Sequence, residues 1–227
     1  MLAQRPHYGN NLVVTAYFPE LAEKVREYQS LFEGVYDKDG DIGLTALRPE
    51  LAHVTLAFIR LDDTYYKSKL VAEAIQAEFT KSLPRLTKPL ELGFQNTYTT
   101  RFGNHRTVLD NTDLATLQDF LSLTGSIAQI ITRVLNNEEF GKNAWFDRST
   151  FQPHLSLYTK LPNPEDFRQD KLLSQLKNFN FGTGILDHIH MDYNGVFKQW
   201  SMPVVALPSE YIKKFRKIFI TANILTV

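Results

Sequence analysis

Apolar and polar residues alternate along the chain in two periods, which predict short strands and amphipathic helices. Stretches rich in β-branched and aromatic residues favour strands, and apolar residues three or four apart favour helices with one buried side. The turn signals Gly103-Asn104 and Asn194-Gly195 predict hairpins. Gly182-Thr-Gly184 predicts the end of a connection after the last helix. The predicted elements are a strand over 11–18, a helix over 19–32, a strand over 51–59, a helix over 65–82, strands over 90–102 and 105–109, a helix over 114–135, a strand over 151–159, a helix over 162–179, and strands over 185–193 and 196–206.

The order strand, helix, histidine-containing strand, helix, strand occurs twice, once on each side of Gly103. Sequence identity between the two parts is slight outside the histidine strands, so the repeat is one of element order. We expect a single domain over 1–227, with one lobe at about 11–102, a second at about 103–207 and a C-terminal extension over 208–227.

The first histidine strand has one apolar and one polar face. Side chains alternate between the two faces of a strand, so Val54, Leu56 and Phe58 fall together. His53 and Thr55 fall on the opposite face, one strand repeat apart.

The second histidine strand has the same design. Leu155 and Leu157 share one face, and His154, Ser156 and Tyr158 share the other. Each strand therefore presents an imidazole and a hydroxyl in front of an apolar row.

Two such strands, facing each other, suit the hydrolysis of a phosphodiester. One histidine takes a proton from the attacking oxygen while the other gives a proton to the leaving oxygen. A hydroxyl two residues away, at about 7 Å along the strand, can hydrogen-bond a non-bridging oxygen. This chemistry needs neither a metal nor a covalent intermediate.

The segments His53-Val-Thr55-Leu and His154-Leu-Ser156-Leu resemble the twin His-x-Thr/Ser-apolar motifs of a known family. It is the two-histidine (2H) phosphoesterase superfamily, also called the RNA-ligase-like or cyclic phosphodiesterase group. The context Phe151-Gln-Pro before the second motif is especially similar, because a proline commonly precedes that histidine in the family.

This resemblance extends roughly over 11–206 and implies a bilobed α+β fold, with duplicated strand-helix-strand lobes and antiparallel sheets lining a central cleft. It also implies metal-independent cleavage of cyclic or 2′-linked nucleotide phosphodiesters, with no cofactor. His53 and His154 would be general acid and base in an order that the motifs leave open, and Thr55 and Ser156 would bind phosphoryl oxygens. Serine stands where many members have threonine and keeps the hydroxyl.

Either motif alone is weak evidence, since roughly one histidine in fifty would match it by chance. His105-Arg-Thr107-Val illustrates such a match. Two matches at equivalent places favour a catalytic pair over two structural histidines. The alternative function is a non-catalytic module that binds a nucleotide or RNA end in the same cleft, because a fold does not determine a function.

Four further residues are candidates for substrate binding. Tyr158 follows Ser156 on the same face, where stacking on a base and extension of the core are equally compatible with the pattern. Tyr98, Arg106 and Trp200 lie in strands expected to flank the cleft. Aromatic rings and an arginine suit bases and phosphate, although ordinary surface or core roles are the simpler interpretation of each.

His188-Ile-His190, with Asp187 and Asp192 nearby, has residue types that bind metals. No spacing specifies a third ligand, which favours ordinary strand histidines and predicts no metal site. Similarly, the basic amphipathic segment 211–220 suits membrane or RNA contact, or the support of a protein scaffold. A terminal element packed on the body is the simpler interpretation.

Composition limits the partners. The 25 basic and 25 acidic residues give a net charge of zero, which argues against clamping long nucleic acid but allows a small nucleotide or one RNA end. The chain has no cysteine, which excludes disulfides and thiolate chemistry. It lacks a signal-peptide pattern, a run of transmembrane length and a phosphate-binding loop of the Gly-Lys-Ser/Thr type. We expect a cytoplasmic protein, and its oligomeric state is left open.

Overall fold

The computed structural model describes residues 11–31, 45–46, 48–61, 65–83, 89–99, 105–109, 112–137, 144–146, 153–159, 178–186, 188–194 and 199–203. Its helices are α1 (Ala22–Ser30), α2 (Tyr65–Ser82) and α3 (Leu114–Leu135), and single 3₁₀ turns cover Pro19–Leu21 and Pro49–Leu51. Its strands are β1 (Asn11–Tyr17), β2 (Thr45–Ala46), β3 (His53–Leu61), β4 (Leu90–Thr99), β5 (His105–Leu109), β6 (Ala144–Phe146), β7 (His154–Thr159), β8 (Asn180–Leu186), β9 (His190–Asn194) and β10 (Gln199–Pro203).

The predicted bounds of α2, α3 and β5 are confirmed. α3 begins sharply because the Asp113 carboxylate accepts a hydrogen bond from the Thr116 amide at 3.0 Å, which satisfies one of its free N–H groups. The predicted helix over 162–179 lies outside the described residues except for its last two, which are not helical. The extension over 208–227 lies outside them entirely. No helix in the described part is long and apolar enough to cross a membrane.

All ten strands in the described part of the chain belong to one antiparallel sheet, in the order β10-β9-β1-β3-β7-β5-β4-β8, with β2 on β7 and β6 on β3. The expected α+β class with antiparallel pairing is therefore confirmed. β3 and β7 are joined at a single pair, Val54 with Leu155. This seam divides the sheet into a β1 half (β10, β9, β1, β3 and β6) and a β5 half (β7, β5, β4, β8 and β2).

The two halves of the sheet mix strands from both parts of the chain. β4, from the first part, pairs with β5 and β8, whereas β9, from the second part, pairs with β1. The predicted strand over 185–193 is divided accordingly: β8 ends at Leu186 and β9 begins at His190, at opposite ends of the sheet. Gly195 lies outside the described residues, and Asn194 pairs with Gln199.

The predicted connection Gly182-Thr-Gly184 is wrong, because both glycines lie inside β8. A Cβ on Gly184 would stand 2.5 Å from the Phe18 ring, so a strand residue here must lack a side chain. Glycine inside a strand commonly marks such a close approach rather than a turn.

A β-bulge in β3 changes which side chains are buried. Consecutive Val14 and Thr15 of β1 pair with Ala57 and Thr55, so β3 carries one extra residue. Phe58, predicted on the buried face, is 37% exposed, because the extra residue reverses the alternation beyond it.

Among the described residues, the three helices and one face of the sheet share one apolar core. α2 and α3 pack together, α3 contacts β3 and β4, α2 contacts β1 and α1 contacts β8. α1 also reaches the seam, where Gln29 Nε2 donates a hydrogen bond to the Leu157 carbonyl of β7 at 3.3 Å. Leu157 lies two residues beyond Leu155, the residue of β7 that pairs with β3. The Gln29 side chain thus bonds to β7 where its pairing with β3 has ended.

Candidate active site

The seam brings the two histidine motifs onto one face of the sheet. Val54 and Leu155 are paired and both are fully buried. Directly paired residues of antiparallel strands share a face, so the flanking histidines and hydroxyl residues share the opposite one. Cross-strand neighbours lie about 4.5–5.5 Å apart and diagonal ones about 7–8 Å apart, which is the scale of one phosphate group with its ligands. These flanking residues are His53, Thr55, His154 and Ser156, all partly buried.

The imidazole of His53 is oriented by its own backbone. Its Nδ1 lies 2.8 Å from the carbonyl oxygen of Leu51, the last residue of the 3₁₀ turn Pro49–Leu51. A carbonyl only accepts, so Nδ1 carries the proton and a neutral ring has its lone pair on Nε2. The Phe18 amide donates to the Ala52 carbonyl at 2.8 Å, which fastens this turn to the end of β1.

On the other side of the seam, two of the predicted substrate-binding residues lie in line with Ser156. Arg106 of β5 pairs with Ser156, and Tyr98 of β4 pairs with Arg106, so all three occupy the same face. The Arg106 Nε and the Tyr98 hydroxyl are buried and have no hydrogen-bond partner among the described residues. Keeping two such groups costs about 1–3 kcal/mol each, which favours a functional reason for them.

A bulge in β4 is what brings Tyr98 to this face. Asn96 is the extra residue between Gln95 and Thr97, with φ of 63°. Asparagine is one of the few residues that tolerate this left-handed backbone. Without the extra residue Tyr98 would fall out of register with Arg106 and onto the opposite face.

The other two candidates are placed by their backbone alone. Tyr158 pairs with His105, the residue before Arg106, whereas Ser156 pairs with Arg106 itself. Leu157 is thus an extra residue in β7 that puts Tyr158 on the face opposite to Ser156, so the prediction of a shared face is wrong. Trp200 pairs with Tyr193, which pairs with the buried Leu12, so Trp200 also falls on the face opposite to the two motifs.

A polar cluster beside His53 was not predicted from the sequence. It is formed by Thr15, Tyr17, His190 and Asp192, and we call it the Asp192 cluster. Asp192 Oδ2 accepts from the Thr15 hydroxyl at 2.5 Å and from the Tyr17 hydroxyl at 2.8 Å. Tyr17 pairs with His53, and Thr15 pairs with His190. Burial and the neighbouring carboxylate raise the pKa of the Tyr17 phenol, which therefore stays a hydrogen-bond donor.

Strand alternation predicts that Thr15 and Tyr17 share a face of one strand, and that His190 and Asp192 share a face of another. It does not predict that these two pairs lie together. The missing information was that β9 pairs with β1, a contact between distant parts of the chain. As for the metal-ligand types noted in the sequence, the His188 and His190 rings lie 6.0 Å apart. Within the described ranges, no group of three or more histidine, aspartate or glutamate residues is arranged to hold a metal ion.

Comparison with known proteins finds similar proteins by structure only. No family model and no curated protein matches the chain. The TT0787 protein of Thermus thermophilus is similar with a TM-score of 0.54 and 14% identity, over 87% of this chain and 96% of that one. A crystal structure of a phosphoesterase is similar with a TM-score of 0.52 and 12% identity, over 86% and 95%. Escherichia coli LigT complexed with 3′-AMP has a TM-score of 0.50 and 12% identity, over 86% and 94%.

These likenesses show a shared fold over nearly the whole length of each neighbour. They confirm the fold that the resemblance to two-histidine phosphoesterases implied. Any inference about the activity of this chain must be drawn from its own residues.

Proposed function

We propose that the chain is a two-histidine phosphoesterase that hydrolyses a 2′,3′-cyclic phosphate or a 2′-linked nucleotide or oligonucleotide. The observation that carries the proposal is the pairing of Val54 with Leu155, because it accounts for both motifs on one face of the sheet. Two structural histidines would have no reason to share that face with two hydroxyl residues at matching positions.

In the proposed reaction, one of His53 and His154 takes a proton from water as the water oxygen bonds to phosphorus. The phosphorus–oxygen bond to the leaving 2′- or 3′-oxygen breaks, and the other histidine gives that oxygen a proton. For His53 the transferring atom is Nε2, because Nδ1 is bonded to the Leu51 carbonyl. Each proton transfer of this kind typically contributes about 10²- to 10⁴-fold in rate.

The hydroxyls of Thr55 and Ser156 donate to the non-bridging oxygens in this proposal. Arg106, in register with Ser156, supplies the cation that offsets the phosphate charge, and Tyr98 lies next along the row. The set of imidazoles, hydroxyls and one guanidinium requires no metal or cofactor.

A nucleotide or RNA end as the ligand is supported by a neighbour, since the LigT structure of Escherichia coli is a complex with 3′-AMP. The neutral net charge fits a short ligand better than a long duplex. A cytoplasmic location is part of the proposal.

The test is turnover of a panel of nucleoside 2′,3′-cyclic phosphates and 2′–5′ oligonucleotides. His53→Ala and His154→Ala should each lower kcat/KM by about 10²- to 10⁴-fold, since each removes a proton-transfer group. EDTA should leave the rate unchanged. His105→Ala, which alters the chance match to the motif, is the matched control and should retain the rate.

Full activity in the His53→Ala/His154→Ala double variant would refute the proposal. Tight nucleotide binding by the unaltered protein, with no turnover across the panel, would instead support the non-catalytic binding module.

A further inference from the structure

A tyrosine that the reaction scheme does not use lies between two histidine rings. The Tyr17 ring centroid is 5.6 Å from that of His53, with an interplanar angle of 49°. It is 5.2 Å from that of His190, at 87°. Tyr17 and His53 are direct partners in the β1–β3 pairing, so the two side chains leave the sheet together on the site face.

The position of this ring is held from its far end. The Tyr17 hydroxyl donates to Asp192 Oδ2, and the Thr15 hydroxyl donates to the same oxygen. Asp192 is only 8% exposed. Burying a carboxylate is costly unless it is hydrogen-bonded, and bonds to a charged acceptor are about twice as strong as neutral ones. The ring of Tyr17 therefore has little freedom to turn away from His53.

The His53 imidazole is consequently constrained on two sides. The Leu51 carbonyl binds Nδ1, and the Tyr17 ring packs against the imidazole. These two contacts together determine the direction in which Nε2 points. Catalytic groups must be held to within about 0.5 Å of their working geometry, and a displacement of about 1 Å costs on the order of 100-fold in rate.

We propose that Tyr17, tethered by Asp192 and Thr15, is a positioning residue that holds the His53 imidazole in its working orientation. The part of this inference that concerns turnover rests on the proposed function. The part that concerns the ring of His53 does not. A purely structural cluster that only joins β9 to β1 would affect stability without changing the orientation of that ring.

The first measurement separates kcat from KM in Tyr17 variants. Tyr17→Phe keeps the ring and loses the tether, and we expect kcat to fall about 10-fold; Tyr17→Leu removes the ring, and we expect a fall of about 100-fold. KM should stay within about two-fold, since the substrate contacts are unchanged. Tyr28→Phe is the matched control, because Tyr28 is fully buried and its hydroxyl lies 3.3 Å from that of Thr97, within the core. Its kcat should be unchanged.

The second measurement needs no substrate. The side-chain ¹⁵N spectrum of His53 reports which ring nitrogen carries the proton, and the unaltered protein should show the Nδ1–H tautomer. Tyr17→Leu and Asp192→Asn should show a mixture of tautomers, because the ring is freed from the Leu51 carbonyl. Tyr28→Phe should match the unaltered protein.

A His53 spectrum unchanged in Tyr17→Leu, with kcat also within two-fold, would overturn the inference. If Tyr17→Leu fails to fold, the spectra of Tyr17→Phe and Asp192→Asn decide in its place. If the unaltered protein turns over nothing on the panel, the proposed function fails, and the spectra alone decide whether Tyr17 positions His53.

Discussion

At the scale of single residues, the candidate site differs on the two sides of the seam. His53 has its orientation set by contacts that the structure describes, from the Leu51 carbonyl and the Tyr17 ring. Ser156 lies instead in a row of donors with Arg106 and Tyr98. A phosphate between the two sides would meet a histidine and a hydroxyl on each, and the Arg106 cation only on the side of β7. In the proposed reaction this cation would stabilise the charge that develops on the phosphate.

The hydroxyl of Ser156, rather than its size, should matter for turnover. Ser156→Ala removes a donor to a charged oxygen, worth about 1.5–3 kcal/mol, and should lower kcat/KM by about 10- to 100-fold. Ser156→Thr keeps the hydroxyl and should retain most of the activity. Steady-state kinetics on the best substrate of the panel measures both. Equal loss in the two variants would show that the hydroxyl has no such role.

The motif residues themselves were predictable, because a period of two separates His154 and Ser156 from Leu155 and Leu157 without any knowledge of the fold. The Asp192 cluster was not. Tyr17 and Asp192 meet only because β1 pairs with β9, and strand pairing over such a distance leaves no local pattern in the sequence.

At the scale of elements, prediction succeeded where the signal was local and failed where a neighbouring element intervened. The bounds of α2 and α3 follow from periodicity and capping residues such as Asp113. Phe58 was assigned to the wrong face because the bulge in β3 follows from pairing with β1. The glycines of β8 were interpreted as the end of a connection because Phe18, which requires one of them, lies far away in sequence.

Two glycines give opposite predictions for the same change to alanine. Gly184→Ala puts a methyl group against the buried Phe18 ring and should destabilise the protein by about 1–3 kcal/mol. A Cβ added to Gly125, inside α3, would meet no other side chain within 4 Å, and Gly125→Ala should stabilise by about 0.5–1 kcal/mol. Urea unfolding of the two variants measures both. Similar stability for the two variants would contradict the close approach to Phe18.

At the scale of the whole molecule, the two halves of the sheet depend on each other. β4 completes the half that contains β5 and β8, and β9 completes the half that contains β1 and β3. The lobes expected at 11–102 and 103–207 therefore exchange strands, and neither segment contains all the strands of one half. The order of elements along the chain was predictable, but this exchange was not.

We expect the chain to unfold as one cooperative unit because of this exchange. Far-ultraviolet circular dichroism, which averages over the sheet, and tryptophan fluorescence should give the same urea midpoint. Trp145 and Trp200 both lie on strands of the β1 half, so their fluorescence follows that half alone. Midpoints that differ between the two signals would show that the halves unfold separately.

The single pair between Val54 and Leu155 has a mechanical consequence. His53 belongs to one half-sheet and His154 to the other, and only this pair joins β3 to β7 among the described residues. The spacing of the two imidazoles therefore depends on the angle at which the two halves of the sheet meet, and not on either strand alone. Gln29 of α1, which donates a hydrogen bond to the Leu157 carbonyl, adds a contact to β7 beside this junction. A residue that belongs to neither motif thus supports the geometry between them.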